Sequence, residues 1–253
     1  MISPWGALAT LLDPPPRLTA EALMVAAGMT PDPWQRSVLT SEGNQLLLCS
    51  RQAGKSTVTA ALALRVAMAN DASLVLLLSP SQRQSGELHR KVSAFLAAQP
   101  AGTVQVARET ALTLTLANNS RIVALPGSEE TVRGFSGVSL LVIDEAARVD
   151  DILYRSLRPM LAVSGGRLVA MTTPWGRRGW FYDEWTHGGD VWHRTSVAAE
   201  DCPRISAEFL AEERRSLGGT AKSTRSSSST LSPASSSTTR STLPLARTSS
   251  RCS

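Results

Sequence analysis

Cysteine, histidine and aromatic side chains are scarce in these 253 residues, with three Cys, three His and 5% Phe, Trp and Tyr. Cys49, Cys202 and Cys252 stand far apart in no ligand pattern, which excludes a disulfide scaffold and a zinc site and fits a reducing compartment. His89, His187 and His193 likewise lack ligand spacing, so a surface or satisfied core role is the default. No apolar run exceeds strand length, and the opening MISPWGALATLLDPPPRL has no basic leader before a long apolar core. Neither a membrane span nor a secretory signal is expected, and the expected location is cytoplasmic. Residues 222–253 hold Lys222, Arg225, Arg240, Arg247 and Arg251 and no Asp or Glu, while basic and acidic residues balance before Lys222. The formal charge of +5 therefore belongs to the last residues, and bulk charge is poor evidence that the body binds nucleic acid.

What is present is 42% hydrophobic residues, enough for one core of about 200 residues. Pro14, Pro15 and Pro16 stop any early helix, and Thr19 with Glu21–Gly28 forms a short helical prelude within residues 1–30. Gln45–Cys49 reads as an apolar strand and Lys55–Ala69 as an Ala/Leu-rich helix so poor in charge that much of its surface must be buried. Leu74–Leu78 is a second strand and Gln82–Ala98 an amphipathic helix. Val104–Val106, Ala111–Leu116 and Arg121–Leu125 are short strands suited to a meander at a sheet edge. Val138–Ile143 and Arg167–Met171 are further apolar strands, and Ser206–Leu217 a last helix. Strands buried on both faces with helices between them predict an α/β fold, a three-layer sandwich around a mostly parallel sheet, over residues 31–218. From Gly219 more than half of the residues are Ser or Thr, with no aromatic, Val or Ile. Such a stretch cannot build a core, so residues 219–253 are expected to be disordered, and a frameshift is one origin for so abrupt a change.

The strongest chemical signal is LLLCSRQAGKS, Leu46–Ser56. A strand, a tight loop closing on Gly54-Lys55-Ser56 and a helix form the context of a phosphate-binding loop. Loop amides and the helix N-terminus suit a β-phosphate, Lys55 reaches the β/γ oxygens and Ser56 can ligate Mg²⁺. Cys49 occupies the position of the usual first glycine, and Gly-Lys-Ser alone is common by chance. LLVIDEA, Leu140–Ala146, puts Asp144 and Glu145 at the C-terminal end of a buried strand, where open α/β sheets bind ligands. There Asp144 can hold Mg²⁺ and Glu145 can deprotonate a water, or the pair can cap a helix. Thr172-Thr173-Pro174 follows the next strand, and its hydroxyls suit a γ-phosphate sensor or an ordinary turn. Trp34 and Gln35 can recognise adenine by packing and by a bidentate amide, though Trp34 is equally suited to the core. Arg51 can add a guanidinium fork to the phosphates, and Arg133, beside Gly134, can act as an arginine finger in cis or in trans. Arg148 and Arg155 read as helix-solvating charges. Arg177, Arg178 and Trp180, in a Gly-rich turn, suit either DNA phosphates or plain solvation.

Taken together, DPWQ (Asp32–Gln35), SRQAGKST (Ser50–Thr57), VRGFSG (Val132–Gly137), LLVIDEAARV (Leu140–Val149) and MTTPWGRRGWFYDEW (Met171–Trp185) resemble the N-terminal ATPase domain of the large terminase subunits of tailed phages. The resemblance covers residues 25–217 and implies a P-loop NTPase of the additional-strand, catalytic-glutamate type. It implies ATP and Mg²⁺, an adenine contact at Gln35, and a phosphate loop of Ser50, Arg51, Gln52, Ala53, Gly54, Lys55, Ser56 and Thr57. Asp144 becomes the Mg²⁺-side acid, Glu145 the catalytic glutamate, Thr172–Pro174 the coupling motif and Arg133 an arginine acting in trans. The implied partners are double-stranded DNA, a portal protein, a small terminase subunit and further copies in a ring on the portal. Family members continue into a nuclease built on clustered carboxylates; with no Asp or Glu after Glu213, nuclease activity is not expected of this chain. A helicase-like DNA-dependent ATPase and an inactive product that at most binds nucleotide are the alternatives.

Overall fold

Continuous apolar runs, which alternate their side chains between two faces, give this chain one sheet with a core on each side. The computed structural model describes residues 18–203 and 205–216. The Pro14–Pro16 stop and the Ser/Thr-rich stretch from Gly219 lie outside the described residues. The chain divides into two units, residues 1–211 and 212–253; the sheet belongs to the first.

In chain order the strands are β1 (Asn44–Cys49), β2 (Leu74–Ser79), β3 (Val106–Glu109), β4 (Thr113–Leu116), β5 (Arg121–Pro126), β6 (Val138–Asp144), β7 (Arg167–Thr172) and β8 (Trp192–Val197). The helices are α1 (Ala20–Ala26), α2 (Pro33–Thr40), α3 (Lys55–Ala69), α4 (Gln82–Ala97), α5 (Glu129–Val132), α6 (Asp151–Leu157), α7 (Pro159–Ala162), α8 (Gly179–His187) and α9 (Ala207–Ser216). The sheet runs β3-β4-β5-β2-β6-β7-β1-β8. All pairs from β5 to β8 are parallel, and β3 and β4 join as an antiparallel edge. Strand β7 thus stands between β1, which leads into the phosphate loop, and β6, which ends in Asp144. That inserted strand is the additional-strand arrangement expected from the sequence.

Alternate residues divide the core. Leu47, Cys49, Val75, Leu77, Leu140, Val142, Val169 and Met171 pack with α1, α3 and α4 on one face. Leu46, Leu76, Leu78, Leu141, Ile143, Leu168 and Ala170 pack with α6, α7 and α8 on the other. The three layers match the expected sandwich. Helix α3 is buried from Val58 through Leu64, as its lack of charge requires, because α1, α2 and α4 cover the sides that the sheet does not.

The pattern misplaced the edge hairpin and passed over strand β8 and helices α2, α5, α6, α7 and α8. The first edge strand is Val106–Glu109 rather than 104–106, and the second starts at Thr113, because Thr110 N donates to Thr113 O at 2.8 Å and turns residues 111–112. Helix α2 begins with Pro33 at its first turn, and the Gln35 side-chain oxygen accepts from Asp32 N at 2.9 Å. Strand β8, WHRTSV, buries only Trp192 and Val197, so it carries no apolar run. Helix α8 is rich in aromatic residues, which favour helix weakly. Gly166 allows β7 to approach β6: a Cβ there would lie 1.9 Å from Val138 O.

Candidate active site

Parallel strands align their C-terminal ends, and here the register pairs Leu48 with Thr172 and Asp144 with Met171. The phosphate loop, Asp144-Glu145 and Thr172-Thr173 therefore emerge along one edge, as the topology of open α/β sheets requires. The loop departs from β1 with Ser50 N donating to Val197 O at 2.9 Å. Gln52 (φ 63°) and Gly54 (φ 95°) both lie in the left-handed region. Such alternation turns successive amides toward a common centre, which makes an anion-binding concavity. Gly54 caps α3, so the free amides and positive end of a 15-residue helix face the same place. The Ser50 hydroxyl is buried without a hydrogen-bond partner among the described residues.

Glu145 is the meeting point. Its φ of 50° and ψ of 42° place a non-glycine residue in the left-handed region, at a cost of about 1–2 kcal/mol. The bend turns its carboxylate away from the strand toward three partners. Lys55 Nζ lies 3.5 Å from Oε1, and Thr173 Oγ1 donates to Oε2 at 3.1 Å. Arg148 Nε lies 3.9 Å from Oε2. The Thr172 hydroxyl donates to Thr173 O at 2.9 Å and accepts from Ala147 N at 3.4 Å, joining the ends of β7 and β6.

Asp144 is buried at the end of β6, and its Oδ1 accepts from Glu145 N at 2.9 Å. Burial raises its pKa above the ordinary carboxylate value, and the adjacent Glu145 charge adds to that. Lys55, the Glu145 amide and Lys91 oppose the shift without reversing it. A buried carboxylate held above its usual value is stabilised in its charged form by an incoming cation. No cluster of three or more His, Cys, Asp or Glu occurs among the described residues. Mg²⁺ bound with a nucleotide needs only one or two protein ligands beside phosphate and water oxygens, so Asp144 and the Ser56 hydroxyl suffice. The donor set thus fits a magnesium nucleotide.

The other expected residues divide. Thr57 Oγ1 accepts from Lys91 Nζ at 3.3 Å. Lys91, one charge on the amphipathic helix α4, carries no sequence signal that separates it from a solvated face. Arg51 is exposed on the loop, and Ala53 is buried. Trp34 packs against the core with its Nε1 buried and unpartnered among the described residues. Gln35 is buried and caps α2. Arg133 pairs with Glu129 at 3.1 Å and lines a cavity of about 420 Å³ with Phe135, Ser156 and Met160, to which no phosphate-loop residue contributes. Arg148 does more than solvate a helix, since its guanidinium also lies 4.1 Å from the centre of the Trp175 ring. Trp180 is not part of an exposed turn. It is buried in α8, stacked on Tyr154 at 3.9 Å, and donates from Nε1 to Val149 O at 3.0 Å; Arg177 and Arg178 remain exposed.

The fold recurs in solved structures. The large terminase ATPase domain of Thermus phage P74-26 superposes with a TM-score of 0.61 at 20% identity, over 77% of this chain and 88% of that one. The large terminase of bacteriophage HK97 gives 0.63 at 16% identity, over 81% of this chain and 52% of that one. A large terminase of a thermophilic bacteriophage in complex with ATP-γ-S gives 0.58 at 17% identity, over 72% and 48%. The chain thus spans nearly all of an isolated ATPase domain and about half of the two longer proteins. No curated protein matches the sequence at a significant level. The family model for the terminase large subunit, T4likevirus-type, N-terminal, matches residues 46–242. With most of its length inside that match, the chain belongs to the terminase large-subunit family and carries its N-terminal ATPase domain.

Proposed function

We propose that this chain hydrolyses ATP at the edge formed by β1, β6 and β7, as the motor part of a machine that moves double-stranded viral DNA into a procapsid. The observation that carries the reading is the convergence on Glu145 of Lys55 from the phosphate loop and Thr173 from the inserted strand. In this reading the amides of residues 50–57 cradle the β- and γ-phosphates, and Lys55 leaves Glu145 to neutralise the γ-phosphate. Ser56 and Asp144 would hold Mg²⁺, with the Lys91–Thr57 pair nearby. When bound there, Mg²⁺ would neutralise charge on the phosphate oxygens. Glu145, freed from Lys55, orients the attacking water and accepts its proton at Oε1 or Oε2. Thr172-Thr173-Pro174 conveys the presence of the γ-phosphate to the loop beyond β7. Arg51 supplies positive charge within the site, and Arg133, which lines a cavity without phosphate-loop residues, supplies it to a neighbouring copy in a ring. Trp34 and Gln35 lie on the helix before β1, toward which adenine would project.

The partners of this reading are double-stranded DNA, a portal protein, a small terminase subunit and further copies of the chain, in the host cytoplasm. No helix of the described residues is long and apolar enough to cross a membrane. The test is steady-state ATP hydrolysis with and without double-stranded DNA, comparing the parent with Glu145→Gln. The amide can still accept a hydrogen bond but is a poor base, so turnover should fall by about 10²–10⁴-fold while nucleotide binding persists. Equal turnover in the two proteins would remove Glu145 from the mechanism.

A further inference from the structure

Arg148 reaches two groups at once. On one side its Nε is 3.9 Å from Glu145 Oε2, and on the other its guanidinium carbon lies 4.1 Å from the centre of the Trp175 ring. The bridge is short because Ala146–Arg148 forms one turn of 3-10 helix, closed by Arg148 N donating to Glu145 O at 2.8 Å. Trp175 follows Thr172-Thr173-Pro174 and remains 45% exposed, although a large aromatic side chain gains most from burial. A groove of about 600 Å³ lined by Val149, Ile152, Trp175 and Arg178 opens beside it, so the indole has room to move.

We propose that Arg148 is a positioning residue which holds the Glu145 carboxylate and carries its movement to the Trp175 loop. This rests on the reading of Glu145 as the catalytic base. Binding of a γ-phosphate draws Lys55 away from Glu145, which leaves Arg148 as the cation paired with that carboxylate. The guanidinium is planar and delocalised, so it stacks on an indole and pairs edge-on with a carboxylate at the same time. A displacement of the carboxylate therefore shifts or breaks the stack on Trp175. The result is a mechanical link from the hydrolytic centre to the segment Trp175–Gly179 at the start of α8.

The experiment uses the full chain with Mg²⁺ and either ATP or ATP-γ-S as probes, and compares the parent with Arg148→Ala, Arg148→Lys, Trp175→Phe and Glu145→Gln. Arg148 is 41% exposed, so its variants should melt with the parent. Arg148→Ala is expected to lower kcat about tenfold with KM for ATP within about twofold, since only the placement of the base is lost. The tryptophan emission change on adding Mg²⁺ and ATP-γ-S should vanish in Trp175→Phe, which assigns it, and also in Arg148→Ala. Arg148→Lys keeps the charge without the planar stack, so it should regain part of kcat but not the emission change. If Glu145→Gln loses turnover while Arg148→Ala keeps both kcat and the emission change, the link is refuted and the function stands. If Glu145→Gln turns over like the parent, the reading of Glu145 falls and the link falls with it.

Discussion

Replacing Asp144 by Asn should stabilise the nucleotide-free protein while it abolishes turnover. Asp144 is buried at the end of β6, and burial together with the neighbouring Glu145 outweighs Lys55, Lys91 and the Glu145 amide, leaving its pKa raised. Because the folded value exceeds the unfolded one, the folded chain binds the proton more tightly. The contribution to stability is fully present below the unfolded value and is lost as pH rises through the folded value. At neutral pH the carboxylate is thus a net cost to the fold. Asn is isosteric, keeps an oxygen to accept from Glu145 N, and removes the charge. The gain should be about 1 kcal/mol, as when a functional site is relieved of a destabilising group, or about 2–4 °C in Tm for a domain of this size. Thermal melts at pH 4 to 8 provide the assay. The advantage of Asp144→Asn should grow with pH, and the shift in Tm given to the parent by Mg²⁺ and ATP-γ-S should shrink in the variant. A variant less stable than the parent at pH 7, or an advantage independent of pH, would refute the claim that burial dominates.

Other positions test other parts of the argument. Gly166→Ala should cost about 3 kcal/mol in urea unfolding, since its Cβ would fall 1.9 Å from Val138 O and 3.1 Å from Leu161 Cδ2 and part β7 from β6. Trp180→Leu loses the stack on Tyr154 and the bond to Val149 O, so stability should drop by about 3 kcal/mol. Salt-dependent DNA binding by the folded variant should not change. Cys49 is buried, with a thiol pKa pushed up to about 12 by burial against the opposing charge of Lys55. Peptide mapping after iodoacetamide at pH 8 should therefore find it unmodified in the native protein and alkylated only after unfolding.

Legibility in the sequence followed burial. β1, β2, β6 and β7 were plain because strands covered on both faces have no polar alternation to confuse with a helix. β8 was not, because an edge strand has one neighbour and needs apolar residues only where it touches the core, at Trp192 and Val197. Asp144 and Glu145 were legible because paired carboxylates bounded by Leu140–Ile143 and Ala146 have few other uses. Arg148 was not, since an arginine three residues beyond Glu145 looks the same whether it faces solvent or stacks on Trp175. That contact joins segments 27 positions apart, and only the fold brings them together. Trp180 failed in the opposite direction: the surrounding glycines and arginines suggested a surface, yet Tyr154 stacks on the ring and Glu184 ties Tyr154 to Trp192.

The pairing of Lys55 with Glu145 explains how the site tolerates its own charges. Lys55 and Glu145 are only 12% and 16% exposed in their side chains, and each would be costly there without an opposite charge nearby. In the proposed reading both find new partners when a phosphate binds, so the pair acts as a placeholder for the charges of the substrate. Thr173 is neutral and takes no part in that exchange of charges, and its bond to Glu145 Oε2 reaches from the end of the strand inserted between the two that carry the pair. A hydroxyl can change between donating to Glu145 and donating to a phosphate oxygen with a rotation about one bond. Thr173→Val should therefore retain nucleotide affinity, which the loop and Lys55 provide, and lose the coupling of occupancy to Glu145. Isothermal titration with ATP-γ-S should give a Kd within about threefold of the parent, since one neutral hydrogen bond is worth little in binding, while kcat falls by about tenfold or more. A variant that loses affinity and keeps kcat would mean that Thr173 belongs to the phosphate cradle and not to the base.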